Sequence, residues 1–575
     1  MEITLIKIQN FRGILSAEIN LKGHTVFIGD NNAGKSTILE ALDLVLGPDR
    51  LYRTPVVDEH DFYNGEYLKD EIPVNICIEV IITKLNAEQK RKFKNHLEFW
   101  DTEENKLIDE PPGEIVDEPH IEGALRVAFK GYYDPEEDDF AGDTYFCHPE
   151  REDLTFAGFS KKDKRDCGFL YLRALRTGSR ALSLERGSLL DIILKIRELR
   201  PKMWEDVLKK LRKTTVATDP TVGVKEVLEG VQEALKEFVP ADWGSEPHLK
   251  VTELTRESLR KTLTVFMSTG TDDYFAPFHH QGTGTVNTMV LALLSMIAEM
   301  KDTVIFAMEE PEIAIPPYTQ KRIVNIIRKK TNQAIFTSHS PFVLEEFAPE
   351  NICLINREKG IVFSKAVSLP SIIKPKAYRA EFRLRFAEAL LAKRVLITEG
   401  NTEATSYAAA AKRLEEINPD KYLSFEALGI AVFDAASESS VSIYGEYFRG
   451  LKKIVLAVFD EQEDEAREKI EENVDYAYEI PYKGFEKLVV EETDSDALKK
   501  FALKLVKEGL WPTHLTAVKP LKTSTADEIK KAIGDYLKRA KGAGAAADLI
   551  GDCSVNEIPI TLRKTIKDIK SKIDV

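Results

Sequence analysis

Gly29-Asp30-Asn31-Asn32-Ala33-Gly34-Lys35-Ser36 fits the phosphate-loop pattern Gly-x-x-x-x-Gly-Lys-Ser without a substitution. The apolar run Thr25-Val26-Phe27-Ile28 precedes it, and a helical run over 36–46 follows. A strand, a tight loop and a helix N-terminus are what such a loop needs. Its glycines let backbone N–H groups turn inward around a β-phosphate. Lys35 is placed to reach β/γ-oxygens, and the Ser36 hydroxyl to ligate Mg²⁺. Asn32, Gly34 and Thr37 complete the expected nucleotide-contacting set. The plain alternative is a glycine-rich turn that binds nothing.

A matching acidic strand lies far along the chain: Thr303-Val304-Ile305-Phe306-Ala307-Met308-Glu309-Glu310-Pro311-Glu312. A continuous apolar run is the mark of a buried parallel strand. Glu309 stands where an Mg²⁺-organising acid belongs, and Glu310 where a general base for the attacking water belongs. Glutamate at the first of these positions departs from the commoner aspartate. A third strand, Gln333-Ala334-Ile335-Phe336-Thr337, ends in Ser338-His339-Ser340-Pro341. There His339 is either an ordinary strand-end residue or, in third place after the other two motifs, similar to the γ-phosphate-sensing histidine of ABC-type ATPases. Gln281-Gly282-Thr283-Gly284-Thr285, before the apolar run 289–297, is either a plain helix N-terminus or the loop that completes a partner subunit's nucleotide site.

A new domain is expected after residue 385. Arg394-Val395-Leu396-Ile397-Thr398 ends in Glu399-Gly400-Asn401-Thr402-Glu403, and the apolar strand 454–459 ends in Asp460-Glu461-Gln462-Glu463-Asp464. Carboxylates at the C-terminal ends of adjacent parallel strands converge at the edge where α/β folds place their sites. Oxygen ligands of this kind suit Mg²⁺ or Mn²⁺, which hold a phosphodiester and activate water. Glu486, within Gly484-Phe485-Glu486, adds a carboxylate before another helix. Lys541 is either a solvated helix-end lysine or a group that neutralises the transition state.

At 575 residues the chain exceeds the roughly 250–300 residues one core supports, so two or more domains are expected. No apolar run approaches the roughly 20 residues that span a bilayer, and Met1-Glu2-Ile3-Thr4-Leu5 carries no basic signal-peptide region. Five scattered cysteines suggest reduced thiols in a cytoplasm rather than a disulfide framework or zinc site. A net charge of −15 argues against a surface coated for nucleic acid but leaves room for local basic patches. The basic runs at 161–165, 195–213 and 321–330 are solvated helix faces or candidate DNA surfaces.

Residues 3–9 alternate apolar and polar and are expected to form an edge strand. Residues 74–83 and 125–132 are further strand-like runs, with an acidic, proline-containing surface insertion around 109–113 between them. Over 185–240 two apolar stretches recur at helical spacing. They are expected to pack on each other or on another subunit. No heptad pattern is long enough for an extended coiled coil.

Taken with Asn10-Phe11-Arg12, these motifs make the chain resemble the OLD (overcoming lysogenisation defect) nucleases, a RecF/SMC-like ATPase joined to a Toprim domain. The Gabija nuclease subunit and retron-associated effectors share that architecture. The resemblance implies an α/β chain with an ABC-type P-loop ATPase domain at 1–184 and 246–385. A helical dimerisation region is inserted at 185–245, and a Toprim nuclease domain fills 386–575. It implies ATP and Mg²⁺, or Mn²⁺ at the Toprim site, as cofactors. DNA is the implied substrate, a homodimer or larger homo-oligomer the implied assembly, and a helicase-like or retron protein the implied defence partner. Glu399 then matches the Toprim glutamate, Glu403 its second acid, Asp460 the first aspartate of an Asp-x-Asp pair, Glu486 a later metal ligand and Lys541 the active-site lysine. Gln462 stands where the second aspartate belongs, so either Glu463 or Asp464 substitutes or one metal is weakly held. The resulting expectation is an ATP-regulated, divalent-metal-dependent DNA endonuclease of anti-phage defence. The rivals are a DNA-binding repair or sensor ATPase with an inactive Toprim domain and, less well supported by the sequence, a primase- or topoisomerase-like enzyme.

Overall fold

Short β-branched and aromatic runs dominate the first part of the chain, and in the computed structural model they pair into one 13-stranded sheet. The structure describes residues 1–575 apart from 49, 51–54, 71, 109–118, 149–155, 174–181, 186–187, 198, 214–226, 228, 234–254, 269–274, 283–285, 287–288, 291, 294–295, 298–304, 314, 371–382, 513–514, 516–523, 541–543 and 574–575. It divides into two compact units. The first holds Met1–Phe27, Gly34–Glu346 and Arg357–Phe363, and the second holds Ile28–Ala33, Phe347–Asn356 and Ser364–Val575.

One end of the large sheet is parallel, in the order Phe169–Leu172, Ile305–Glu309, Gln333–Thr337, Thr25–Ile28. Their apolar runs are buried because both faces of such a strand are covered. The other end is antiparallel, in the order Ile14–Asn20, Glu2–Phe11, Ile76–Thr83, Ile121–Asp134, Leu97–Asp101, Lys106–Ile108, with Asp139–Phe146 also on Ile121–Asp134.

Residues 3–9 therefore do not form an edge. Glu2–Phe11 is hydrogen-bonded on both sides, to Ile14–Asn20 and to Ile76–Thr83. Alternation shows only that one face is buried. Whether the strand's hydrogen-bonding edges are filled depends on segments remote in sequence. The helices Leu189–Ile196 and Arg200–Lys213 pack on each other and on Arg256–Thr262, around Trp204, Leu259, Leu194 and Leu208. A buried Asp191–Arg260 pair, 3.4 Å apart, ties the first of these helices to the third. The apolar stretch at 224–238 and the proposed insertion at 109–113 lie largely or wholly outside the described residues.

The second unit is built on a four-stranded parallel sheet in the order Ile430–Asp434, Arg394–Thr398, Ile454–Phe459, Tyr476–Glu479. The helix Asn401–Ile417 follows the Arg394–Thr398 strand and buries Tyr407, Ala410, Ala411 and Leu414, at helical spacing, against Leu396 and Leu456. Its Lys412 and Glu416 stay in solvent. Among the described residues no helix is long and apolar enough to cross a membrane.

Candidate functional site

The buried strand Thr25–Ile28 delivers the chain into a loop with three left-handed residues: Gly29 (φ 145°), Asn32 (φ 70°) and Gly34 (φ 103°). A side chain at Gly29 would place its Cβ 2.2 Å from the Ile355 carbonyl oxygen, so only glycine fits there. Gly34 caps the helix Lys35–Leu46, whose first turn has neither a side-chain cap nor an acidic residue. Its leading N–H groups carry the positive end of the helix dipole, the arrangement that receives a phosphate. Ser36 and Thr37 lie in that first turn, and Lys35 is buried at the same end.

Register places the other motifs beside this loop. Phe27 pairs with Thr337, and Thr337 with Glu309, across three parallel strands. The loop, the acid pair and the His339 turn thus leave the same sheet edge. The Tyr171 hydroxyl, from the neighbouring strand Phe169–Leu172, donates to Glu309 Oε1. Burial and that carboxylate push the Tyr171 phenol well above its ordinary range. Glu310 takes a left-handed conformation (φ 41°), and its N–H donates to the Thr337 carbonyl at 2.9 Å. Glu312 organises the histidine turn: it accepts the His339 N–H at 2.6 Å and the Ser338 hydroxyl at 3.0 Å. Burial raises the Glu312 pKa above the usual carboxylate range. His339 itself is exposed. Arg12 bridges Glu40, on the helix after the loop, and Asp61, the latter at 2.7 Å.

A second acidic edge lies in the Toprim-like sheet. Thr398 pairs with both Asp434 and Val458, and Phe459 with Glu479, so the carboxylates that end or follow these strands leave at one side. Glu399 Oε1 accepts the Asp460 N–H at 3.0 Å and the Gln462 side-chain amide at 3.1 Å. Asp460 Oδ2 accepts the N–H of Gly484, the cap of the helix Phe485–Glu492 that carries the buried Glu486. The Glu403 carboxylate folds back on Gly400, where an added Cβ would stand 3.0 Å from it. The sheet thus gathers Glu399, Glu403, Asp460 and Glu486 at one edge. Burial, and then the charge of Asp460, push Glu399 up to about 7. Among the described residues no three acids or imidazoles stand together as a ready-made metal cage. Crowded carboxylates of this kind nonetheless fit a hard divalent cation, which removes the repulsion they suffer without it.

Asp464 does not join this group. It opens the helix Asp464–Asn473, its side chain is 87% exposed, and it pairs with Arg467 at 2.8 Å. The position left neutral by Gln462 is filled by Gln462 itself. Lys541 lies outside the described residues. Sequence reasoning missed Tyr171, the Glu312 clamp and Asp434. The last was detectable, because Ile430-Ala431-Val432-Phe433-Asp434 is another apolar strand ending in an acid.

The phosphate loop with its acidic strand and the parallel sheet of the second unit define a class: a P-loop ATPase followed by a Toprim domain. Residues 1–124 match the family model "AAA ATPase domain", 180–345 match "AAA domain, putative AbiEii toxin, Type IV TA system", and 390–461 match "Overcoming lysogenization defect protein-like, TOPRIM domain". The chain is similar to the OLD nucleases along most of its length. It is 22% identical to the Old nuclease of Escherichia phage P2, over 73% of this chain and 72% of that one. It is 21% identical to the OLD nuclease of Thermus scotoductus, over 79% and 81%. Among solved structures, the SMC head domain from Thermotoga maritima overlaps 64% of this chain and all of its own, at 11% identity and a TM-score of 0.29.

Proposed function

We propose that this chain is an ATP-regulated, divalent-metal-dependent DNA endonuclease of anti-phage defence. The observation that carries the nuclease reading is the Glu399–Asp460–Gly484 linkage, which draws acids from three separate segments to one sheet edge. Glu399, Glu403, Asp460 and Glu486 would hold Mg²⁺ or Mn²⁺. Bound there, the cation supplies a grip on the phosphodiester and an activated water. The protein's own part is to orient those acids through Asp460 N–H and Gly484 N–H. Lys541 keeps the role the resemblance gives it, neutralising charge on the phosphoryl oxygens. Plasmid nicking by the full chain with each metal tests this reading. No cleavage of any DNA with either metal would favour the rival, a DNA-binding ATPase with an inactive Toprim domain. That rival rests on Gln462, whose neutral amide touches Glu399 where a second aspartate is expected.

At the nucleotide edge, Glu310 is assigned as general base, Glu309 as organiser of the nucleotide's Mg²⁺, and His339 as the group that meets the γ-phosphate. Glu310→Gln should bind ATP normally but hydrolyse it about 100-fold or more slowly, the scale of a lost general base. Wild-type phosphate release by this variant would refute the assignment.

We further propose that residues 185–245 mediate dimerisation. The Leu189–Ile196 and Arg200–Lys213 helices bury much of their apolar surface within the chain. On the short helical segment beyond them Val227 is 66% and Val231 44% exposed, which leaves apolar surface for a second copy. Light scattering should show at least a dimer at micromolar concentration. A monomer with and without ATP would remove this assignment.

A further inference from the structure

Within the proposed nuclease edge, a described cation, Arg385, stands beside the strand ends that carry the acids. Arg385, on the helix Arg383–Leu391, reaches across the strand ends. One guanidinium nitrogen donates to Asp434 Oδ2 at 2.9 Å and the other terminal nitrogen donates to Asn401 Oδ1 at 2.9 Å. Asp434 ends the strand next to the one that leads into Glu399, and the two strands are in register at Thr398 and Asp434. Asn401 lies two residues beyond Glu399.

Asp434 is committed to this task. Its other oxygen accepts the Ala436 N–H at 2.8 Å, and its side chain is only 12% exposed. Oδ2 thus holds Arg385 while the Ala436 N–H fixes the orientation of the same carboxylate through Oδ1. The Arg385 side chain, by contrast, is 47% exposed. A guanidinium carries five N–H donors in a planar fork, and these two hydrogen bonds use two of them. The remainder are available to water or to an anion. An edge built from carboxylates alone would repel a polyanionic backbone. A guanidinium held rigidly between two strand ends supplies the opposite charge with its donors already oriented.

We propose that Arg385 is a substrate-binding residue that grips a DNA backbone phosphate flanking the scissile one, with Asp434 and Asn401 as its positioning residues. The proposal rests on the nuclease reading above. Asp434 is accordingly an anchor for this arginine and not a metal ligand.

The test uses the full chain and a short fluorescent DNA duplex, with affinity measured against salt concentration, together with steady-state plasmid nicking. Arg385→Ala should lower the slope of log affinity against log salt by about 1, the signature of one lost phosphate contact. It should raise KM about tenfold and leave kcat nearly unchanged, as loss of uniform binding does. Arg385→Lys should restore the salt slope but only part of the affinity, since lysine keeps the charge without the fork. If Arg385→Ala lowers the melting temperature while slope and KM stay at wild-type values, the arginine merely locks a helix to the sheet and the proposal falls. If wild type neither binds nor cuts DNA, the nuclease reading falls with it. Cutting by wild type with an unchanged Arg385→Ala profile overturns this proposal alone.

Discussion

Lys35→Ala should remove measurable ATP binding and reduce phosphate release to background, while the protein stays folded. Lys35 sits in the first turn of a helix whose leading amides have no side-chain cap, directly after a left-handed glycine. The amides can orient a phosphate, but only the ammonium carries a full positive charge in this loop. A charge-assisted hydrogen bond contributes about 1.5–3 kcal/mol, so its loss alone weakens binding by roughly 10- to 100-fold. Loss of the long-range attraction to several phosphate oxygens adds to that. The fold should tolerate the change. The helix is anchored by Ile38, Leu39, Leu42 and Val45, all fully buried, and alanine is the strongest helix former. Fluorescent-nucleotide titration and a thermal melt on the same preparation check both halves. Wild-type affinity in a folded Lys35→Ala protein would show that the nucleotide lies elsewhere.

What the sequence discloses depends on how local the determinant is. The phosphate loop is eight contiguous residues flanked by a strand and a helix, so its conformation follows from its own glycines. The acidic strand Ile305–Glu309 and the strands entering Glu399 and Asp460 are legible for a similar reason. A short apolar run that ends in carboxylates needs little context. The neighbours of a strand are different. Glu2–Phe11 alternates as an edge strand can, yet its second partner is Ile76–Thr83, about which those ten residues say nothing. Tyr171 was invisible because it lies 138 residues from the Glu309 carboxylate it contacts. Asp464 shows the converse error. It is the nearest acid along the chain to the missing aspartate, but the helix that it opens turns it outward to Arg467. Asp434 carried the same local signal as the other strand ends, and its partner, Arg385, emerges only when the parallel sheet and the preceding helix are assembled.

Glu399→Ala should cost on the order of 10²–10³ in cleavage rate, the scale of losing one preorganised electrostatic group. Glu399 is where the linkages of the Toprim edge meet. It accepts from Asp460 N–H and from Gln462, and its own proton affinity is raised by burial and by Asp460. Those same forces make the edge unfavourable without a counter-charge, since two neighbouring carboxylates resist ionising together. A divalent cation relieves that repulsion, so it should bind the folded state and raise the melting temperature of wild type. At a metal concentration about 100 times Kd the gain is about 2.7 kcal/mol. Because Gln462 contributes no negative charge, Mn²⁺, which tolerates neutral ligands better, should give the larger shift and the faster nicking. Glu399→Ala should flatten the metal-dependent shift as well as cleavage, whereas Asp464→Ala should alter neither, since Asp464 faces Arg467. The melting readout separates two failures that nicking alone would confuse. A metal shift that survives in Glu399→Ala places the cation elsewhere. Equal nicking by the two proteins points to another active centre or a contaminating nuclease. A wild type with no metal shift and no cleavage leaves the Toprim edge as a DNA-contacting surface without chemistry.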